Sequence, residues 1–428
     1  MEKELCKGGC TDSNGIAHGG GRSFCERSGG RAAIPSTGQQ PMRRRQDILS
    51  AAGYERSRII LTACELELFT QIHQKATTAR QLARTNGLNP AATTRLLDCL
   101  VTFDLLSKSG GQYAVTAGGA LLSAGSPENI MPFMKVMNRS WDNWNHLTEI
   151  VKEGHPPKDR SEREEKKGVD NDFIELMHLL GSQLSSEIAE IYDLSPFTRM
   201  LDIGGASGTY TIAFLKKNPA MKATLFDLDA VLPLAEARLR SEGLVDRVEL
   251  CSGDYNREAL PEGYDLVLLS DVVGQNTNDQ NVRLLKKIHR SLKSDGVLLI
   301  RDYVMDETHT SPEEGVLFSM LMLVETQGVG AYSFPEYKDV LEEAGFADTR
   351  LFRKGQVKDS LVETRKPNRA ALLKHKDKAR WRQVMAIDSI TSDRWHCNEA
   401  RLLTEGSTQR CRASFKEESH ARDVHQNQ

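Results

Sequence analysis

The sequence predicts an α/β protein: a doubly wound, mostly parallel sheet with helices on both faces, preceded by a smaller, mostly helical domain. Three observations lead there. From Phe173 onward, short apolar strands alternate with helical segments. A glycine-rich turn closes the first of those strands. Upstream, residues 48–150 run helix, helix, helix, hairpin, the order of a winged helix.

The 428 residues allow two or three domains, and 39% apolar against 27% charged residues is the balance of a chain that folds in water. A net charge of −3 offers no field for nucleic acid or an acidic membrane. No apolar run reaches the ~18 residues of a membrane helix, and Met1-Glu2-Lys3-Glu4 lacks the basic start of a signal peptide. A cytoplasmic enzyme or regulator is expected, with its eight cysteines as thiols. Cys64, Cys99 and Cys251 fall in apolar patterns and read as small buried residues. Cys6, Cys10, His18 and Cys25 match no paired zinc spacing, so no metal is expected.

Residues 1–45, rich in Gly, Ser and Arg, read as a disordered leader. Residues 46–150 form the winged-helix domain. In it, Ile59, Ile60, Ala63, Leu66, Phe69 and Ile72 recur at helical spacing. Thr78 opens a short helix, and Asn89-Pro90 reads as an N-cap with proline at the first helical position. Ser109-Gly110-Gly111 joins two strands. The helix over 90–103 carries only Arg95 as base, too little for DNA, so this module reads as an oligomerisation device. Residues 151–172, with Pro156-Pro157 and a charge run, are a linker. The strand and helix alternation occupies 173–365, with strands at Met200–Ile203, Ala223–Phe226, Val248–Cys251, Leu266–Leu269 and Val297–Ile300. Residues 366–428 hold 13 Lys/Arg against 8 Asp/Glu and read as a weakly ordered basic tail, with a short helix near Leu372 to Met385.

The turn itself is Asp202-Ile203-Gly204-Gly205-Ala206-Ser207-Gly208. Its glycines permit a tight bend and a close ligand, while Asp202 at the strand end would repel a pyrophosphate and suits a cationic ligand. Asp227 ends the next strand and is placed to accept from ribose hydroxyls, with Leu228 beside it. Asp254, in Gly253-Asp254-Tyr255, is placed to accept from an adenine amino group, with Tyr255 against the ring. Three acids at successive strand ends describe a site for an adenosine that carries positive charge.

On these motifs, together with Tyr264–Ser270 and Leu284–Asp302, residues 48–365 resemble the S-adenosylmethionine-dependent small-molecule O-methyltransferases of the acetylserotonin and caffeate type. The resemblance implies a seven-stranded Rossmann-like sheet with an antiparallel final strand, for which Phe346–Phe352 and Val357–Glu363 are the candidates. It also implies S-adenosyl-L-methionine as cofactor, a small-molecule methyl acceptor, and a homodimer. Ala206 stands where relatives usually have glycine. The cofactor residues expected are Asp202, Gly204, Gly205, Gly208, Asp227, Leu228, Asp254, Tyr255 and Ser270.

Methyl transfer is an in-line displacement in which positioning is worth more than base catalysis. Relatives carry a histidine base after the fourth strand; here the stretch reads Asp271-Val272-Val273-Gly274-Gln275-Asn276, with Gly274 at its position. The acid that orients that histidine is also missing from Gly328-Val329-Gly330-Ala331-Tyr332-Ser333. Three readings stay open. The nucleophile is sulfur and needs little base; or a hydroxyl is deprotonated by Asp271, Tyr332, His146 or water; or the chain binds the cofactor without the reaction. His289 reads as a packing residue. For the acceptor pocket, methionines and tryptophans at helical spacing nominate Met134, Asn138, Trp141, Met177 and Met320. Two rivals are a non-enzymatic winged-helix regulator that senses a metabolite, and a nicotinamide dehydrogenase, which Asp202 disfavours.

Overall fold

The computed structural model describes residues 53–157, 170–326 and 328–368. The leader, the four residues Cys6, Cys10, His18 and Cys25, most of the linker and the tail beyond Asn368 lie outside them. The chain divides after Arg56 into two units, and the one from Ser57 onward is the subject below.

The first helices, α1 (Glu55–Glu65) and α2 (Leu68–Gln74), precede a two-residue strand β1 (Thr77–Thr78). Thr78 then caps α3 (Ala79–Asn86) through a capping box with Gln81. Asn89 caps α4 (Pro90–Thr102), its side-chain oxygen accepting from Ala91 and Ala92 N–H, with Pro90 inside the first turn as expected. Strands β2 (Leu106–Ser109) and β3 (Gln112–Val115) form the hairpin, and positive φ at both Gly110 and Gly111 gives the turn the twist that a two-residue hairpin needs. β1 adds to β3, making a three-stranded antiparallel sheet. Phe69, Leu97, Leu100 and Tyr113 are fully buried beneath it. Asp98 of α4 is spent on Lys108 and the Tyr113 hydroxyl. Then come α5 (Ala117–Ala120), α6 (Met131–Trp144) and α7 (Leu147–Glu153), so that helix runs into the start of the expected linker.

A 21-residue helix, α8 (Asn171–Ile191), leads into the second region. There β4 (Arg199–Ile203), α9 (Thr209–Lys217), β5 (Lys222–Asp227), α10 (Leu232–Ser241), β6 (Val248–Ser252), β7 (Tyr264–Ser270), α11 (Asn278–Ser291) and β8 (Leu292–Asp302) alternate. They are followed by α12 (Glu313–Glu325), α13 (Phe334–Glu343), β9 (Ala347–Arg353) and β10 (Ser360–Arg365). The sheet has seven strands in the order β6-β5-β4-β7-β8-β10-β9. It is parallel from β6 to β8, and β10 is inserted antiparallel between β8 and β9.

β8 starts before its apolar run: buried Leu292 pairs with Tyr264, and exposed Lys293, Ser294 and Asp295 form an irregular stretch before the ladder resumes at Val297. The sheet alternates as a two-faced layer must. Leu201, Ile203, Val267, Leu269, Leu298 and Ile300 pack with α11 and α13 on one side; Met200, Leu266, Leu268, Val297 and Leu299 pack with α8 and α9 on the other. Of the three cysteines, Cys64 is buried, whereas Cys99 and Cys251 are only partly so, a correction to the buried reading.

Candidate active site

Parallel strands bring their carboxyl ends to one edge of the sheet, and ligands bind there. The glycine turn leaves β4 at that edge with φ of +67° at Gly204, +48° at Ala206 and +79° at Gly208. Gly205 has no room for a side chain: a Cβ would lie 2.8 Å from Leu225 Cγ and 3.0 Å from Asp202 Cγ. Ala206 accepts the left-handed conformation that glycine takes without strain, a local cost of about 1–2 kcal/mol. Beside the turn stand Val272 and the Tyr255 ring, 3.2 and 3.8 Å from where a Gly204 Cβ would be.

The three acids are not equivalent. Asp227 is half-buried at the end of β5, where its carboxylate accepts from Ala206 N–H (2.8 Å) and Leu228 N–H (2.7 Å), tying turn to strand. Burial raises its carboxyl above the ordinary value, and these two bonds pull it back. Leu228 next to it is 49% exposed, an apolar surface at the rim. Asp202, expected on the rim, instead lies under the turn, 2% exposed, accepting a 2.6 Å hydrogen bond from Thr211 Oγ1 on α9. Asp254 makes a local turn, with Asn256 N–H on one oxygen and Arg257 Nε 3.4 Å from the other. Asp202 is thus occupied beneath the turn, while the more accessible Asp227 and Asp254 are each held by backbone N–H groups beside them. Ser270, at the end of β7, accepts from Arg301 (3.3 Å).

Of the residues nominated for an acceptor pocket, Met134 and Trp141 line a cavity of about 490 Å³ with Ile60, Leu61, Met137 and Trp144. Asn138 accepts from Arg58 (2.6 Å), whose guanidinium lies over the Trp141 ring. Met177 on α8 and Met320 on α12 are half-buried but do not line that cavity. Glu325, absent from the sequence reading, ends α12 and is gripped by α6: Ser140 Oγ and Asn143 Nδ2 both donate to it. A second cavity, about 240 Å³ between Arg199, Lys222 and Arg247, opens at the amino ends of the strands, the wrong edge for a ligand in this architecture.

Residues 49–124 match the O-methyltransferase dimerisation domain, and residues 144–347 match the O-methyltransferase domain. The chain belongs to the O-methyltransferase family. The 3-hydroxy-5-methyl-1-naphthoate 3-O-methyltransferase of Streptomyces sahachiroi is 29% identical to it over 310 residues, 71% of this chain and 89% of that protein. Acetylserotonin O-methyltransferase of Bos taurus is 29% identical over 336 residues, covering 73% and 95%. A solved structure of human N-acetylserotonin methyltransferase in complex with SAM shares the fold, with a TM-score of 0.64 at 24% identity over 77% of this chain and 100% of that one. This methyltransferase takes its methyl group from S-adenosylmethionine.

In this methyltransferase Gly274, where the resemblance led us to expect a histidine base, has no room for a side chain. A Cβ on Gly274 would lie 2.6 Å from Phe318 Cε1 and 2.8 Å from the Gly330 carbonyl oxygen. Gly330 N–H donates to Gly274 O and Val329 N–H to Asn276 O, which locks the two segments together. The three substitute bases named from sequence are poorly suited. Asp271 receives a hydrogen bond from Lys358 and has Arg301 3.9 Å away; burial alone would raise its carboxyl, but these two cations hold it below the ordinary value. The Tyr332 hydroxyl donates to Asn278 inside the core, and burial raises it. His146 is exposed at the start of α7. His289 packs edge-on against Phe346, as its packing reading expects.

The buried Asp202 gives a pH test. Burial first, and the Asp227 charge to a lesser extent, push its carboxyl up to about 6 from 3.8, against the opposing Thr211 bond. The folded state therefore holds this proton more tightly than the unfolded chain, and its contribution to stability falls as pH rises from about 4 through about 6. Asp202→Asn keeps an oxygen for Thr211 but has no proton to lose. Relative to the parent, its unfolding free energy should gain on the order of 3 kcal/mol between pH 4 and pH 7, since each pKa unit corresponds to about 1.4 kcal/mol. Urea unfolding at both pH values measures this, and parallel curves would refute it.

Proposed function

We propose that this methyltransferase transfers the methyl group to an acidic hydroxyl of a small, flat, largely apolar acceptor, by orientation and water exclusion, with no side-chain base at the histidine's place. The observation that carries this reading is the filled space at Gly274. A nucleophile there has to ionise without a neighbouring imidazole, which favours an acidic hydroxyl over an ordinary alcohol. A thiol is the second reading, favoured by the same observation, because sulfur is nucleophilic with little help.

The residues at the edge suit the donor. No Lys or Arg lies within the turn 203–209, as befits a nucleoside without phosphates, and a Cβ at Gly204 or Gly205 would crowd the turn. Asp227 keeps lone pairs for ribose hydroxyls beyond those used by Ala206 and Leu228, and Leu228 and Tyr255 offer apolar faces to a base. Gly208 and Ser270 complete this proposed wall, with Asp202 supporting it from below and Asp254 shaping the turn that carries Tyr255. The donor, when bound, supplies a methyl group made electrophilic by its sulfonium sulfur. Phe318 and Val272 exclude water beside it, and Met134, Asn138 and Trp141 would hold the acceptor.

We further read the N-terminal helices and three-stranded sheet as a winged helix that pairs two copies of the chain, supported by the dimerisation-domain match. Cys64, Cys99 and Cys251 as free thiols agree with a cytoplasmic setting. Among the described residues no helix is long and apolar enough to cross a membrane.

Calorimetric titration with S-adenosylhomocysteine should show binding at micromolar strength or better. Labelled donor offered to a panel of acidic phenols, aliphatic alcohols, thiols and amines should label the phenols first. Labelling confined to amines would sink the proposal.

A further inference from the structure

The chemistry above gives no part to the ammonium of Lys358. β9 runs in the same direction as β8, and Ser360 of β10 pairs with Asp302 at the end of β8. The connection 354–359 therefore crosses the carboxyl edge of the sheet. From it Lys358 reaches back over β8 to β7. Its Nζ donates to Asp271 Oδ1 and stands 3.3 Å from the centroid of the Phe318 ring and 5.3 Å from that of Tyr303, with the side chain 15% exposed. Phe318 is the ring that fills the space at Gly274. A fixed cation thus stands one aromatic ring away from where relatives place their base. Two carboxylates, Asp271 and Asp302, face two cations there, Arg301 and Lys358, and taking Lys358 out of water is only partly offset by the two rings.

We infer that Lys358 holds the bound acceptor in its phenolate form. The inference rests on the hydroxyl reading above and deepens it. The acceptor's proton leaves to solvent water. An oxygen lone pair then forms the bond to the methyl carbon while the carbon–sulfur bond breaks and its electron pair returns to sulfur; Lys358 keeps its own proton throughout. A cation within about 4–6 Å lowers the pKa of an acid by about 1–3 units, which replaces part of what a base would do.

The other charged and titratable groups near Lys358 are Asp271 after β7, Arg301 and Asp302 on β8 and Tyr303 just after it, with Glu314 of α12 facing Tyr303 and Tyr337 of α13 facing Asp302. Asp302 Oδ2 is buried without a hydrogen-bond partner among the described residues.

The test uses the full chain saturated with S-adenosylhomocysteine, with 4-nitrophenol as probe, because its anion absorbs visible light and reports ionisation without turnover. Bound to the parent protein, the probe should ionise at least about one pH unit below its value in buffer. Lys358→Met should return it to the buffer value, and Lys358→Arg, which keeps the charge, should preserve the shift. An equal shift in Lys358→Met, no shift in the parent, or no binding of the probe overturns the inference, and the two parent outcomes do so even if the variant fails to fold. Failure of S-adenosylhomocysteine itself to bind strikes the donor site instead, which separates the two proposals.

Discussion

Asp227→Ala is expected to weaken S-adenosylhomocysteine binding at least ~100-fold, on the estimate that each hydrogen bond to a charged group is worth about 1.5–3 kcal/mol. The carboxylate does two jobs at once. It fixes the turn through Ala206 and Leu228 N–H, and in the donor site we propose its remaining lone pairs would accept from the ribose. Asp227→Asn should be milder, because one oxygen is kept. Circular dichroism and calorimetry on the same samples separate loss of fold from loss of affinity. A well-folded alanine variant that binds like the parent would remove the ribose assignment and leave Leu228 and Tyr255 without a reason to be at the rim.

The second large effect concerns Gly274. Gly274→His looks like the restoration of a missing base, yet the new side chain would start inside the Phe318 ring and against a backbone carbonyl. Overpacking of this kind typically costs about 1–3 kcal/mol, and the carbonyl cannot rotate away as a flexible chain end does, so a cost near the top of that range is expected. Activity should fall with stability. Adding Phe318→Ala removes the ring clash but leaves the carbonyl one, so it should not restore the parent's stability; only in that double variant should the rate acquire a new dependence on a group titrating near the ordinary histidine range of about 6.5. Denaturant unfolding of the two variants and a pH profile of the double one decide it. A single variant as stable as the parent would mean that the space at Gly274 is not filled as described.

These two positions show how differently the site is written. Asp227 was legible as a carboxylate ending a strand 19 residues after Gly208, and the structure adds that it accepts from Ala206 and Leu228 N–H. The absence of histidine at Gly274 was equally legible, being a matter of identity alone. What fills its place was not, since Phe318 lies 44 residues downstream on a helix whose contacts no local pattern announces. Lys358 and Glu325 were missed for the same reason: their partners Asp271 and Ser140 are 87 and 185 residues away. The burial of Asp202 was not legible either, because position at a strand end does not say whether a side chain is exposed or lies beneath the turn.

Chain-local chemistry determined the sheet, its alternation, the caps at Thr78 and Asn89 and the glycine turn, because periodicity, backbone freedom and capping act over a few residues. The tertiary structure decided which acid is buried beneath the turn, what closes the space at Gly274 and which cation stands over the Phe318 ring. Those outcomes depend on burial and on charges brought together across the carboxyl edge, and burial is a property of the packed molecule alone.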